Sequence, residues 1–433
     1  MPSSASMTAM AAALLLLAAA QARADPACYP RVFSFGDSLA DTGNLLYLYG
    51  NDSYEAATRL PYGETYFHRA TGRSSNGRLI VDFIAEALGL PFVPPYLSGR
   101  SAEDFAGGAN FAVGGATALS PDFFWENGVP AFRADTVHLD MEIEWFRDLL
   151  DLLCPGDVAE KNVQHDNYKF PRRPLGEQSA TSGRIRCIYL LANLFPDEID
   201  CMDMMSKSLF LVGEIGGNDY NLPLFYGVPF EKIRTFTPSI IAKISSTIAE
   251  LVELGAKTLL VPGNLPIGCI PAYLTTYKSD MMEDYEPETG CIRWMNEFSQ
   301  YHNKLLVDEL ENLRKLHPGV VIIYADYYGA AMEIFSSPEQ FGIEDPLMAC
   351  CGGGGPYGVS ASAGCGHGDY KVCNDPQKYA SWDGFHPTEA TYKGIANGLL
   401  RGSYTQPPIS TTSSCPQTTE LASSLEYKVL YDM

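Results

Sequence analysis

Positive charge is scarce in this chain. Its 433 residues include 30 Lys and Arg against 52 Asp and Glu, which gives a formal net charge of −22 at pH 7. Nucleic acids and anionic membranes bind cationic surfaces, so this shortage argues against both as partners. A solvated acidic surface that keeps the protein dissolved explains the charge more simply.

Long apolar runs are scarce as well. Residues 11–20 are wholly apolar, but this run is too short for a membrane span, and no later segment reaches the length required. A small-x-small pattern follows at 22–24, so residues 1–24 are predicted to be a signal peptide. The mature protein is therefore expected to be secreted and to have no integral membrane segment. One N-glycosylation sequon is present, at Asn51.

Cysteine is plentiful, and eleven residues of this type suit an oxidising compartment. The odd number leaves at least one thiol unpaired, and a sequence does not determine connectivity. Proximity alone favours pairing Cys269 with Cys291 and Cys365 with Cys373. Zinc binding by the later cysteines with His367 is the alternative, although disulfides are far commoner in secreted chains. The cysteines concerned are Cys350, Cys351, Cys365 and Cys373.

Strand and helix patterns alternate along the chain. The β-rich segments lie at 207–212, 257–261 and 320–324, and the helical patterns at 76–88, 140–153, 237–255 and 294–316. This alternation predicts an α/β fold with a mostly parallel sheet that helices cover on both faces.

Two segments do not follow the alternation. Residues 158–196 mix charge, Pro and Gly without a helix or strand period, and are predicted to be a surface insertion bracketed by Cys154 and Cys201. Residues 405–433 begin with a Ser-, Thr- and Pro-rich stretch and are predicted to be a loosely held tail. A single domain at 25–404 accounts for the remainder.

A candidate nucleophile, Ser38, follows the first strand-like segment. The apolar residues 32–35 lead into Gly-Asp-Ser-Leu at 36–39. Open α/β sheets bind ligands at the carboxyl ends of their strands, so a serine here is expected to meet a substrate. The chain has no Gly-x-Ser-x-Gly motif, which argues against an ordinary α/β-hydrolase. Its glycine clusters do not continue as phosphate or dinucleotide fingerprints.

A candidate base, His386, lies near the other end of the chain. Asp383 precedes it by three residues, close enough in one turn for the carboxylate to reach the imidazole. Such a carboxylate fixes the histidine tautomer and stabilises the imidazolium. Thr388 is predicted to cap the next helix and to hold His386 at its entrance. Structural loops also contain Asp-x-x-His, so this pattern does not identify a catalytic pair by itself.

An oxyanion hole needs donors that converge on one point. The candidates are the backbone N–H groups of Ser38 and Gly115 and the side-chain amide of Asn218. Gly115 and Asn218 each lie in a turn-like motif, and either residue alone has an ordinary explanation as a turn residue. Their joint occurrence with Ser38 and His386 favours a catalytic site.

Taken in chain order, these motifs resemble the GDSL esterase/lipase family, also called SGNH hydrolases, in the form common among secreted plant enzymes. Ser38, Gly115 and Asn218 match the residues of the first three family blocks, and Asp383 and His386 match the last. The resemblance covers roughly residues 28–403 and is greatest to the branch with sinapine esterase-like and acetylajmalan esterase-like proteins. It implies a flavodoxin-like three-layer α/β/α sandwich.

The resemblance also implies an activity. Ester hydrolysis would proceed without a cofactor or metal, with Ser38, His386 and Asp383 as the catalytic residues. The expected substrate is a short acyl ester of a small metabolite or a cell-wall polysaccharide, in the apoplast or cell wall. A lipase for longer acyl chains and a catalytically silent binding or defence protein are the alternatives. The insertion at 158–196 departs from the family pattern, contains Cys187 as the natural unpaired thiol, and would affect access to the cleft.

Overall fold

A computed structural model describes residues 28–50, 55–130, 132–154 and 201–409 of the chain. The predicted signal peptide, the sequon at Asn51 and the predicted insertion with Cys187 lie outside these residues. None of the helices in the described segments combines the length and apolar character needed to span a bilayer.

Short strands and longer helices alternate through the described residues. In chain order the strands are β1 (Val32–Phe35), β2 (Gly108–Asn110), β3 (Leu209–Val212), β4 (Thr258–Pro262), β5 (Val321–Ala325), β6 (Asp345–Ala349), β7 (Cys351–Gly352), β8 (Lys371–Val372), β9 (Tyr379–Ser381) and β10 (Thr405–Gln406). The helices are α1 (Asn44–Tyr49), α2 (Ile80–Ala87), α3 (Pro121–Glu126), α4 (Leu139–Leu153), α5 (Cys201–Lys207), α6 (Gly217–Phe225), α7 (Phe230–Arg234), α8 (Thr237–Glu253), α9 (Pro271–Thr276), α10 (Arg293–Leu316), α11 (Tyr327–Ser336) and α12 (Glu389–Leu400).

The central sheet has the order β2-β1-β3-β4-β5, followed by β10 at the edge. The first five strands are parallel, and β10 pairs antiparallel with β5. This order is that of the flavodoxin-like doubly wound sheets, in which the strand order reverses between β1 and β3. Residues 405 and 406, predicted to begin the tail, thus form an edge strand of the sheet.

Helices cover both faces of this sheet. On β1, Phe33 and Phe35 pack into one core, whereas Val32 packs into the other, because successive side chains of a strand point to opposite faces. Side chains of α4, α8 and α10 fill the first core, and those of α2, α11 and α12 fill the second. The predicted three-layer α/β/α architecture is therefore confirmed.

One predicted helix is shorter than its pattern. The prediction at 76–88 begins too early, because α2 begins at Ile80. Asn76 is engaged elsewhere: its side chain donates to Thr65 Oγ1 at 2.8 Å and accepts from the backbone N–H of Glu389 at 2.8 Å. These contacts draw the segment before α2 towards the start of α12. The other predicted helices and strands lie within about two residues of their predicted bounds.

The disulfides correct one predicted pairing. Cys269 pairs with Cys291 as predicted, and Cys154 pairs with Cys201. The prediction of Cys365 with Cys373 is wrong, because Cys373 donates its backbone N–H to Cys350 O across the β7–β8 ladder and bonds to that cysteine. Cys365 bonds to Cys351 instead. The four cysteine sulfurs that zinc binding would need are therefore all engaged in disulfides.

Candidate active site

Ser38 lies just beyond the carboxyl end of β1, where the order of the sheet reverses. Its turn is closed by hydrogen bonds from the backbone N–H groups of Ala40 and Asp41 to Asp37 O, at 3.0 and 2.9 Å. Gly36 leads into the turn with φ +130°, and a Cβ there would lie 2.8 Å from Glu214 O. Only glycine fits this close approach of the β1 and β3 loops, so the motif fixes where the Ser38 side chain emerges.

The structure joins Ser38, His386 and Asp383 in one hydrogen-bonded series. Ser38 Oγ lies 2.8 Å from His386 Nε2, and His386 Nδ1 lies 2.7 Å from Asp383 Oδ2. The serine and the histidine are 348 positions apart in the chain. This arrangement suits proton transfer from a serine hydroxyl to an imidazole that a carboxylate orients.

Asp383 also holds the turn in which His386 lies. Its Oδ1 accepts the backbone N–H groups of Phe385 and His386 at 2.8 and 2.7 Å. The turn is closed by a 2.7 Å bond from Trp382 N–H to His386 O. Thr388 then caps α12 through its side chain, as predicted. The residues that precede and follow His386 in the chain thus both restrict the position of its imidazole.

Tyr62 is a contact that the sequence motifs do not contain. Its hydroxyl donates to Asp383 Oδ2 at 2.7 Å, and its ring packs edge-on against Trp382 with the centroids 6.0 Å apart. Burial raises the pKa of Tyr62 well above its ordinary value, and the charge of Asp383 adds to the shift. The tyrosine therefore stays protonated and remains a donor. No local pattern around Tyr62 signals this role, because its partner lies 321 positions away.

The ion pair sets the direction of two pKa shifts. Burial disfavours a charge on His386, but the charge of Asp383 and its hydrogen bond outweigh burial and raise the pKa of the imidazole. Burial likewise opposes ionisation of Asp383, yet His386 and the other hydrogen bonds lower the pKa of its carboxyl group. Asp383 therefore remains a carboxylate, and His386 becomes a stronger base than a free histidine.

Two backbone donors beside Ser38 have no acceptor. Neither Ser38 N–H nor Gly115 N–H makes a hydrogen bond to any residue that the structure describes. Gly115 adopts φ +84°, and the place of a Cβ there is open space. The two donors are thus available to an incoming oxygen atom.

The third predicted donor, Asn218, lies near the same turn but is engaged. Its Nδ2 donates to Asp37 Oδ2 at 3.0 Å and to Ala116 O at 2.9 Å. Both amide hydrogens therefore have acceptors. One of them has to be redirected or shared before the amide contributes to an oxyanion hole.

A buried carboxyl pair supports this amide. Burial raises the pKa of Asp37 to about 6, although Leu39 N–H and Glu214 donate hydrogen bonds to it. Burial and the neighbouring charge of Asp37 raise the pKa of Glu214 well above its ordinary range. The raised pKa of Glu214 favours its protonated form, in which it donates to Asp37, and Asp37 in turn accepts from Asn218 Nδ2. Neither role was predicted from the sequence, because no short motif links the two loops.

Asp219, the next residue of α6, fixes the distance to the loop of Gly115. Its carboxylate accepts the backbone N–H groups of Ala118 and Leu119 at 2.8 and 2.9 Å, and burial raises its pKa to about 7. These two hydrogen bonds thus join the start of α6 to the loop that follows Gly115.

An apolar pocket of about 40 Å³ borders His386. Its walls come from the loop after β4 and from α11 and α12; the lining includes Leu265, Ile270, Ala331, Phe335, Phe385 and Ile395. Residues 123–125 form a further aromatic segment, in which Phe123 contacts the ring of Phe236 and Trp125 is 42% exposed. Phe124 is buried and stacks on Phe132 with centroids 3.8 Å apart.

Comparison with known proteins identifies the family. The model of the GDSL-like lipase/acylhydrolase family matches residues 32–399. Two GDSL esterase/lipases of Arabidopsis thaliana are 44% and 45% identical over 88% of this chain, covering 86% and 84% of theirs. A sinapine esterase of Brassica napus is 42% identical over 89% of each chain. With this similarity over 88–89% of its length, the chain belongs to the GDSL lipase/acylhydrolase family and is a carboxylic ester hydrolase.

Proposed function

We propose that this protein is a secreted serine esterase that forms an acyl-enzyme on Ser38. The observation that carries the proposal is the series of hydrogen bonds from Asp383 through His386 to Ser38. It ends beside the unpartnered N–H groups of Ser38 and Gly115. A nucleophile, an oriented base and converging donors are the parts that acyl transfer requires.

In the first half of the proposed reaction, neutral His386 takes the hydroxyl proton as Ser38 Oγ attacks the ester carbonyl carbon. The carbonyl oxygen becomes an oxyanion and accepts from Ser38 N–H and Gly115 N–H. The carbon–oxygen bond to the alcohol then breaks, and His386 Nε2 gives its proton to the leaving alcohol. Asp383 stays ionised throughout and stabilises the imidazolium.

In the second half, water attacks the acyl-enzyme. His386 takes a proton from the water molecule, and the same two backbone donors hold the second oxyanion. The bond to Ser38 Oγ breaks, the proton returns to the serine, and the acid is released. No step needs a metal or a cofactor.

Asn218 is proposed as the third oxyanion donor. Its amide lies beside the Ser38 turn and turns one hydrogen from Ala116 O towards the oxyanion as charge develops there. The Asn218→Ala variant is expected to lose about 10²–10³ in kcat, as removal of other oxyanion donors does.

The proposed substrate is a short acyl ester of a small metabolite or of a cell-wall polysaccharide. The pocket beside His386 is lined mainly by apolar side chains, which suits an uncharged ester group. The similarity to a sinapine esterase supports a small-molecule ester. Hydrolysis of longer lipid esters is the alternative that the same assay detects.

We also propose that the protein is secreted and that it is glycosylated at Asn51. The apolar run at 11–20 with its small-x-small pattern supports a signal peptide, and the four disulfides among the described residues suit an oxidising compartment such as the apoplast.

The test is hydrolysis of p-nitrophenyl esters from acetyl to palmitoyl by the full secreted protein and its Ser38→Ala variant. We expect turnover to be greatest for the acetyl ester and to be lost in the variant. Ser34→Ala is the matched control, because Ser34 lies in the same segment, is buried and has a hydroxyl without a hydrogen-bond partner.

If the Ser38-dependent turnover were greatest for esters with long acyl chains, the protein would be a lipase and the short-acyl proposal would be wrong. A folded protein without turnover on any ester would instead support the silent binding protein. Equal activity of Ser38→Ala and the wild type would remove Ser38 from the mechanism.

A further inference from the structure

An exposed aromatic side chain lies at the far end of the helix that begins beside Ser38. Helix α6 starts at Gly217, carries Asn218 in its first turn and ends at Phe225. Phe225 is 53% exposed, which is unusual for a ring that also stacks on other rings. Its position at the end of the Asn218 helix connects it with the catalytic cleft.

Phe225 continues a row of rings that leads to the catalytic histidine. Its centroid lies 5.8 Å from Phe385 and 5.7 Å from Tyr273, the latter at an interplanar angle of 20°. Phe385 in turn lies 5.5 Å from the His386 ring. We call Phe225, Tyr273 and Phe385 the aromatic wall.

The aromatic wall is held rigidly from behind. Tyr273 is fully buried, and its hydroxyl donates to Asn221 Oδ1 on α6. One residue earlier, Ala272 N–H donates to Gly384 O at 2.9 Å, which ties α9 to the turn of Phe385. A planar surface that is already ordered binds a ligand at a lower entropic cost than a mobile one.

The aromatic wall is connected to the catalytic residues at both of its ends. Phe225 ends the helix that carries Asn218, and Phe385 contacts the ring of His386, whose Nε2 lies 2.8 Å from Ser38 Oγ. In the reaction above, the carbonyl oxygen points to the Ser38 and Gly115 donors, while the leaving oxygen receives its proton from His386. The group attached to that oxygen is therefore expected on the side of His386, where Phe385 and Phe225 lie.

We propose that the aromatic wall binds a planar apolar group on the alcohol part of the ester, and so favours aryl esters over alkyl esters of the same acid. Planar rings stack on aromatic side chains in offset or edge-on arrangements that a puckered aliphatic ring does not match. The inference rests on the proposed esterase function and adds to it the class of leaving group.

The test compares phenyl acetate with cyclohexyl acetate, which share the acyl group and differ in the planarity of the alcohol. Release of acid is followed by titration, with wild type, Phe225→Leu and Phe225→Ala. For each substrate the variant is compared with the wild type, so the different intrinsic reactivities of the two esters cancel.

With Phe225→Leu, which keeps apolar bulk and loses the ring, we expect kcat/KM for phenyl acetate to fall roughly five- to tenfold, mainly through KM. For cyclohexyl acetate the change should stay within about twofold. The control is Tyr226→Ala: Tyr226 is 69% exposed and adjacent to Phe225, but no ring contact with Phe385 is described for it. The Tyr226→Ala variant should hydrolyse both acetates with the wild-type kcat/KM.

Equal losses on both esters in Phe225→Leu and Phe225→Ala, or no loss on either, would overturn the wall as a site for planar groups. Such a result would leave the esterase itself intact, because wild-type hydrolysis would still depend on Ser38. If hydrolysis of both acetates proved independent of Ser38, the proposed function would fail and the inference with it.

Discussion

Asp383 accepts hydrogen bonds from its own turn through Oδ1 and from His386 and Tyr62 through Oδ2. A carboxylate with this many donors is stabilised in its charged form even though it is buried. Its charge is also what holds the His386 pKa above the ordinary value. One residue thus sets both the orientation and the basicity of the proposed base.

The pH profile of kcat/KM is expected to follow the protonation of the His386 imidazole. Only the neutral imidazole accepts the Ser38 proton, so activity falls as the pH drops through the raised pKa of His386, which lies above the ordinary 6.5. The measurement is hydrolysis of p-nitrophenyl acetate from about pH 5 to 9. A profile that stays flat across the histidine range would count against His386 as the base.

The matched variant is Asp383→Asn. Removing the carboxylate charge leaves burial as the main influence on the imidazole, so the acid limb is expected to move to lower pH while kcat falls. An unchanged limb would mean that Asp383 does not act on His386 through charge.

At the scale of elements, the connections after β1 and β3 are linked by the buried carboxyl pair. Glu214 belongs to the connection between β3 and α6, and Asp37 belongs to the turn after β1. The protonated Glu214 donates to Asp37, and Asp37 accepts from Asn218 at the start of α6. We therefore expect the hydrogen bond between Glu214 and Asp37 to help position Ser38 relative to Asn218.

Replacing Glu214 tests the hydrogen bond that its protonated form donates to Asp37. Glu214→Gln keeps a donor towards Asp37, so kcat should stay within about threefold of the wild type. Glu214→Leu removes the donor and leaves the Asp37 charge uncompensated, and we expect kcat to fall about tenfold or more with KM little changed. The measurement is steady-state hydrolysis of p-nitrophenyl acetate by both variants.

If Glu214→Gln were as damaging as Glu214→Leu, the side chain would have to act as a carboxylate. If neither variant lost activity, the pair would serve the fold alone. Circular dichroism of each variant separates loss of folding from loss of turnover.

Local signals explain which elements could be predicted. The segment before Ser38, the helix that begins at Thr237 and the turn of His386 are each signalled by neighbouring residues, and each was identified. Tyr62 and Glu214 were missed because their partners are brought near only by the sheet. The Cys350–Cys373 pair was missed for the same reason, since a strand ladder and not sequence proximity aligns it.

At the scale of the whole molecule, the Cys154–Cys201 disulfide joins the end of α4 to the start of α5. These helices pack in the same core, and the two cysteines are 47 positions apart in the sequence. A crosslink across such a length restricts the unfolded chain strongly.

The double variant Cys154→Ser/Cys201→Ser should lower the free energy of unfolding by about 4 kcal/mol on the chain-entropy model. Since both sulfurs lie away from Ser38 and His386, kcat of the folded variant should match the wild type. Urea denaturation of the full chain measures the first quantity, and an ester assay the second. Unchanged stability would show that the crosslink does not restrict the unfolded chain, and a loss of kcat would show that the α4–α5 junction affects the cleft.

Ser38 and His386 lie near opposite ends of the chain, and this separation has a consequence for biosynthesis. A ribosome delivers the N-terminal part first, so the serine emerges long before the histidine exists. A nascent chain that ends before His386 therefore lacks the proposed base and cannot hydrolyse esters through this site.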